Sequence, residues 1–232
     1  MITFDDLRDG WSKWGTKDPY WSTVTLPRFM LNQLDREEYY KTPETTEFGT
    51  LFVPMLEQNG IGFPDGVGFD FGCGCGRNTF FLAERMRWVI GYDISPGHLR
   101  EAERWMVETD ARNVIFIQGE EESLFPSMFR ECYDLVFSVL VLQHIPPDIS
   151  MRYIREFTQL LSPGGVGFFH IPVEGYQESQ DPALSLFSVP QGSVEAEIER
   201  GGCQVIEIRR NERTSGPDMV AGFFLFVKEE RT

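Results

Sequence analysis

The sequence is poor in the residues that build covalent or metal frameworks. Its 232 residues include four cysteines, Cys73, Cys75, Cys132 and Cys203, and three histidines. Four scattered thiols do not make a disulfide framework in a chain of this length, so all four are read as reduced. A structural zinc site takes about four ligands, usually from two spaced pairs, and Cys73-x-Cys75 has no second pair to join. A redox dithiol would be spaced C-x-x-C. No metal is expected. Basic residues are also scarce, with 21 Lys and Arg against 36 Asp and Glu and a formal net charge of −15. Such a surface repels phosphate backbones, and no run of Lys and Arg interrupts it, so nucleic acid is excluded as an expected partner. The opening "MITFDDLRDGW" has neither a basic start nor an apolar stretch of signal-peptide length. No segment reaches the apolar length of a membrane span. A cytoplasmic location without a membrane partner is therefore expected. There is no internal repeat and no low-complexity tract.

What remains is an ordinary globular balance, 41% hydrophobic and 25% charged, in a chain that suits one domain with a full core or one domain with a small appendage. From residue 65 onward, short apolar runs alternate with helical patterns. Strands are expected at 67–71 ("VGFDF"), 87–93, 113–119, 133–142, 166–171, 203–209 and 219–227. Helices are expected at 78–86, 95–108 with Ser95 as N-cap, 148–161 with "SPGG" (162–165) stopping it, and near 193–201. The pattern predicts an α/β fold, doubly wound around a mostly parallel seven-stranded sheet, with helices on both faces. About ten residues separate the last two strands, too few for a parallel crossover, so the last strand should be antiparallel. Residues 1–50 read as a helical N-terminal cap belonging to the same domain as 51–232.

The stretch "DFGCGCGR" (70–77) carries the functional signal. A loop that leaves a strand and opens a helix brings backbone N–H groups close to a ligand only where side chains are missing. Gly72, Gly74 and Gly76 supply that at alternate positions. A second strand follows and ends on Asp93. In dinucleotide folds an acid about 20 residues beyond the glycines binds ribose hydroxyls, and a carboxylate facing two hydroxyls makes a charge-assisted pair of bonds.

The spacing is G-x-G-x-G after an acid, and it resembles the first motif of the class I S-adenosylmethionine-dependent methyltransferases. Four further segments resemble that family in order: "GYDIS" (91–95), "FIQGEEESLFP" (116–126), "YDLVFSVLVLQHIP" (133–146) and "FTQLLSPGGVGFFH" (157–170). The resemblance implies a Rossmann-like S-adenosylmethionine-binding domain and S-adenosyl-L-methionine as cofactor. It implies that Gly72, Gly74 and their neighbour Gly76 line the methionine part of the cofactor, with Asp70 ordering the loop. Asp93 would bind the ribose, Ile94 would pack on the adenine, and Glu120 or Glu121 would meet the adenine amino group. Ser138 and Leu140 would lie beside the transferable methyl group, or else simply pack in the sheet. Cysteine between these glycines is then filler.

An electrophilic methyl group needs an aligned nucleophile, and a base if the nucleophile carries a proton. His144 and His170 fall at carboxyl ends of strands, the ligand end of open α/β sheets, and His144 is the first choice as base. Either could instead be a structural histidine. His98 is given no role. The cap carries Trp11, Trp14, Tyr20 and Trp21, of which Trp14, Tyr20 and Trp21 are the candidate lid over the substrate. The same aromatics could staple the N-terminus to the sheet. The long polar segment 173–193 is a candidate substrate loop. The expected partner is a small-molecule methyl acceptor with a hydroxyl or amine. The rival readings are a nicotinamide-dependent oxidoreductase and a non-catalytic cofactor-binding protein on the same fold.

Overall fold

The structure is a computed structural model that describes residues 2–41, 46–119, 123, 130–211 and 218–230. The chain forms two compact units, residues 3–120 and 121–232. The first opens with four helices, α1 (Phe4–Lys17), α2 (Pro19–Val24), α3 (Arg36–Tyr40) and α4 (Val53–Gln58). Thr3 starts α1 with a reciprocal cap: its hydroxyl accepts from Asp6 N at 3.2 Å while the Asp6 carboxylate accepts from Thr3 N at 2.9 Å. This satisfies two of the amides that a helix start leaves orphaned. Pro19 opens α2, and Thr25 closes it in the left-handed region, at φ +50°. The strands and helices of the crossover units follow: β1 (Val67–Phe71), α5 (Arg77–Ala83), β2 (Trp88–Asp93), α6 (Pro96–Glu108) and β3 (Val114–Gln118). β1 pairs with β2, and β2 with β3, all parallel.

The second unit holds β4 (Tyr133–Ser138), α7 (Pro147–Leu160), β5 (Leu161–Glu174), α8 (Gln191–Arg200), β6 (Cys203–Asn211) and β7 (Val220–Lys228). β4 and β5 are parallel, whereas β7 runs antiparallel to both β5 and β6. The seven strands take the order β3-β2-β1-β4-β5-β7-β6. Phe168, Phe169, Phe223, Phe224 and Phe226 are at most 1% exposed, and Phe169 stacks on Phe224 at 5.2 Å. Each such ring contributes about 2–3 kcal/mol by burial, which fixes the register of the antiparallel pair.

Two expectations are corrected. The strand expected over 133–142 ends at Ser138, because Leu140 adopts φ +63° and turns the chain into a short 3-10 turn, Leu142–His144. The apolar run continues past the turn, and apolarity alone cannot separate strand from a buried turn. "SPGG" does end α7, but it lies inside β5. Pairing jumps from Tyr133↔Leu161 to Leu135↔Val166, so these four residues form a bulge, held by the Ser162 hydroxyl donating to Tyr133 O at 3.0 Å. Bulges accommodate glycine and proline that a regular ladder does not.

Candidate active site

In the first unit the glycine loop is fixed from below by β1 and β2. Gly72 N and Cys73 N both donate to Tyr92 O, at 2.7 and 3.0 Å, and Gly76 N donates to Cys73 O at 2.9 Å. Gly72, Gly74 and Gly76 all have positive φ, +71°, +55° and +83°, a conformation in which a side chain is strained. At Gly74 the space is closed as well: a Cβ there would lie 2.6 Å from Thr23 Cγ2. The loop thus demands glycine on backbone grounds, and the amides of Gly72, Cys73, Gly74 and Gly76 are spent on Tyr92, Asp93 and Cys73, which holds its shape.

Asp93 is 9% exposed and ties the loop to the start of α6. Its Oδ2 accepts from Gly74 N and its Oδ1 from Ser95 N, each at 2.8 Å. An ionised carboxylate has about four acceptor positions, so two remain for a ligand diol. Asp70 is buried, and its Oδ2 accepts from the Thr79 hydroxyl at 2.6 Å. Burial pushes its carboxyl up to about 7, and the Asp93 charge adds to this while the Thr79 hydrogen bonds oppose it. Ile94 is half-buried beside Asp93. A side chain on Gly119 would run into the Tyr92 hydroxyl. Glu120 and Glu121 lie outside the described residues.

The cap is built onto this loop. Tyr40 OH donates to Cys75 O at 2.7 Å, and Arg77 Nε donates to Tyr39 O at 2.9 Å. Thr23 Oγ1 donates to Tyr20 O and lies 2.8 Å from Tyr39 OH, which donates to it in turn. Tyr20 is 1% exposed, sits in a cluster with Tyr39, Tyr40, Cys75 and Trp105, and its hydroxyl donates to Glu101 at 3.0 Å. Tyr20 is therefore a core residue of the cap and not a surface-lining lid group: a ring packed edge-on against Tyr39 at 5.0 Å has no face left for a substrate. Trp14 and Trp21 remain half-buried, 5.2 Å apart, with Lys17 Nζ 4.5 Å above Trp14. Cys73 and Cys75 are buried, and burial holds both thiols well above their ordinary range. Thiols kept protonated in this way are poor ligands and poor nucleophiles. Among the described residues no group of three or more His, Cys, Asp and Glu is set to hold a metal ion.

The second unit brings His144 and His170 together. Burial pushes His144 down to about 4 and His170 down to about 3, and the His144 charge would depress His170 further. His144 Nδ1 lies 3.2 Å from Ser185 O, and Nε2 lies 3.0 Å from Gln143 Nε2. A carbonyl only accepts, so the ring proton is on Nδ1, and Nε2 accepts from the Gln143 amide. His170 stacks on Phe223 at 4.8 Å. Ser138 is fully buried, and neither its hydroxyl oxygen nor Gln143 Oε1 has a hydrogen-bond partner. Leu140, at positive φ, is a strained non-glycine residue next to them. Thr79, Gln143 and the cap residues Ser22, Thr23 and Tyr40 carry no signal in the sequence. Thr79, Ser22, Thr23 and Tyr40 are placed by bonds to Asp70, His98, Tyr39 and Cys75, 9 to 76 positions away, and Gln143 by its neighbour His144.

The sequence was compared with known proteins. Residues 69–165 match the model of a methyltransferase domain family. An uncharacterised methyltransferase of Emericella nidulans is 29% identical over 66% of this chain and 63% of its own length. Thiocyanate methyltransferase 1 of Brassica oleracea is 30% identical over 50% of this chain and 49% of its own length. The chain thus spans about half to under two thirds of the length of these relatives. Among solved structures, magnesium protoporphyrin IX methyltransferase from Synechocystis PCC 6803 with bound S-adenosylhomocysteine superposes with a TM-score of 0.70 at 16% identity, covering 98% of this chain and all of that one. The family match starts in β1, one residue before Asp70, and takes in the glycine loop, Asp93 and β2 to β4, and the seven-stranded sheet with its antiparallel β7 has the fold of these methyltransferase structures.

Proposed function

We propose that the protein is an S-adenosylmethionine-dependent methyltransferase acting on a small-molecule acceptor that presents an amine or a hydroxyl. The observation that carries this reading is the loop of three left-handed glycines closed onto Asp93. The residues fit the cofactor. The left-handed turn of Gly72, Gly74 and Gly76 shapes the loop that its amino acid part would meet, Asp93 has two acceptor positions left for its ribose, and Ile94 offers an apolar surface to its adenine. When bound, S-adenosylmethionine supplies an electrophilic sulfonium methyl group. The protein must hold the acceptor in line with it and keep water out.

His144 and His170 are the proposed acceptor-side groups. Both are neutral at pH 7, since their conjugate acids are pushed to about 4 and about 3. His144 offers Nε2 as its basic nitrogen once the Gln143 amide swings aside. So weak a base suits a nucleophile that arrives unprotonated, and of the two acceptor classes a neutral amine asks least of it. Trp14 and Trp21 are the proposed wall that shields the reaction. No helix among the described residues is long and apolar enough to cross a membrane.

Calorimetry with S-adenosylmethionine, S-adenosylhomocysteine and NADH tests the cofactor. Binding of the first two and not the third is expected, and binding of NADH alone would replace this reading with an oxidoreductase. Incubation with a metabolite mixture and S-adenosylmethionine should then yield products that gain a methyl group. Cofactor binding with no product from any amine or hydroxyl compound would leave a non-catalytic binding protein.

A further inference from the structure

We propose that His98 is a positioning residue that links the docked N-terminal cap to the ribose-binding acid, so that cap order and cofactor binding are coupled. This rests on the cofactor reading above. His98 lies in the first turn of α6 and is 1% exposed. Its Nε2 is 2.8 Å from the Ser22 hydroxyl of α2. That hydroxyl also lies 3.1 Å from Pro19 O, to which it donates. A carbonyl cannot donate, so Ser22 Oγ is left to accept from His98 Nε2–H, and the bare nitrogen of the neutral ring is Nδ1. Nδ1 is 3.9 Å from Asp93 Oδ1. Asp93 in turn holds the amides of Gly74 and Ser95, and Ser95 Oγ accepts from His98 N at 3.4 Å. One chain of hydrogen bonds therefore runs from α2 through His98 and Ser95 to the carboxylate and the glycine loop, while Nδ1, an acceptor facing an acceptor, makes no bond to Oδ1.

The rest of the surroundings fixes the ring in this role. From α1, Trp11 lies 6.2 Å from it. Gly15 packs so closely on Ser95 and Gly97 that a Cβ on either glycine would collide with the facing residue. From α2 the facing groups are Ser22 and Pro19, and from the end of β2 it is Asp93, the carboxylate that the ring faces. Farther along α6, Glu101 is engaged by Tyr20. While His98 is neutral, the Asp93 charge stays available to the loop amides and to a ligand diol. A proton on Nδ1 would create an imidazolium that competes for Oδ1. Burial lowers the pKa of His98 below its ordinary 6.5, so the available state is the one present at neutral pH and is lost on acidification. If the cap undocks, Nε2 loses Ser22, the ring is no longer held, and the carboxylate loses a fixed neighbour. By linkage the cofactor must then favour the docked cap by the same factor that the cap favours the cofactor.

The test uses the full chain and S-adenosylhomocysteine as probe. Affinity is measured by calorimetry at pH 7.5 and 5.5, and cap order by the rate of trypsin cleavage at the exposed Lys13 and Lys17. In the wild type the ligand should slow cleavage, and affinity should fall at pH 5.5. Ser22→Ala and His98→Ala should bind about tenfold more weakly and lose the ligand's protection of the cap. His98→Gln, which restores an N–H donor toward Ser22, should recover most of the affinity and show a smaller loss at pH 5.5 than the wild type. Ser22→Ala and His98→Ala proteins that bind as tightly as the wild type, whatever their melting temperatures, would overturn the coupling. A pH 5.5 loss as large in His98→Gln as in the wild type would also overturn it, since a loss common to both belongs to Asp70, whose carboxyl feels the Asp93 charge and is pushed up to about 7. A wild type that does not bind S-adenosylhomocysteine at all would instead overturn the cofactor reading and take this inference with it.

Discussion

Asp93→Asn separates what Asp93 does for the fold from what it does for a ligand. In the structure both carboxylate oxygens already accept backbone amides, from Gly74 and Ser95 at 2.8 Å. Asparagine keeps one acceptor and turns an N–H group toward the other amide. One hydrogen bond to a charged acceptor is therefore lost, at about 1.5–3 kcal/mol. For a chain of this size that lowers the melting temperature by about 3–12 °C. The ribose loses a charge-assisted partner too, which at about 1.4 kcal/mol per tenfold weakens S-adenosylhomocysteine by about 10- to 100-fold. The assays are a thermal melt and calorimetry on the same preparations. The sequence alone suggests an acid that serves the ribose and not the core, but the two amides show that it also holds the fold. A weakened ligand with an unmoved melting temperature would mean that the amides do not depend on the charge. A lowered melting temperature with full affinity would remove Asp93 from the cofactor site.

Gly74→Ala should lower stability through two separable costs, a left-handed backbone worth about 1–2 kcal/mol and the Thr23 methyl 2.6 Å away. Thr23→Ser deletes that methyl, so the double variant should recover the second cost and leave the first in denaturant titrations. Asp70 has a folded-state pKa of about 7, raised by burial from 3.8. The folded state then holds a proton that the unfolded chain has shed, so stability should fall as pH rises from about 4 to 7, by up to about 4 kcal/mol. Asp70→Asn should flatten that profile. Cys73→Ser/Cys75→Ala should cost about 1–3 kcal/mol in packing, and elemental analysis should find no stoichiometric zinc before or after the change. Tyr20→Ala should cost about 3–5 kcal/mol in urea melts, whereas Trp14→Phe and Trp21→Phe should change methyl transfer more than stability. Equal losses of stability from all three would make the tryptophans core residues.

The sequence by itself determined the alternation of strands and helices, the antiparallel end of the sheet, and the glycine loop with its acid at the end of β2. These are local signals. Periodicity reports which faces are buried, and glycine at alternate positions reports a backbone that no other residue tolerates. Even Ser95 at the start of α6 was legible, because capping is decided within one turn. Other features were not legible, because tertiary contacts decide them. The apolar run after Ser138 turns at Leu140 and does not continue as strand, and "SPGG" is absorbed as a bulge because Tyr133 and Leu135 offer it partners. The aromatics of the cap looked alike in sequence, yet Tyr20 is buried against Tyr39 while Trp14 and Trp21 stay partly exposed. His98 looked like an ordinary helix residue until α2 placed Ser22 against one nitrogen and β2 placed Asp93 near the other. Those partners lie 76 and 5 positions away in the chain, and a hydrogen bond depends on distance in space, which spacing in sequence reports only inside a single helix or strand.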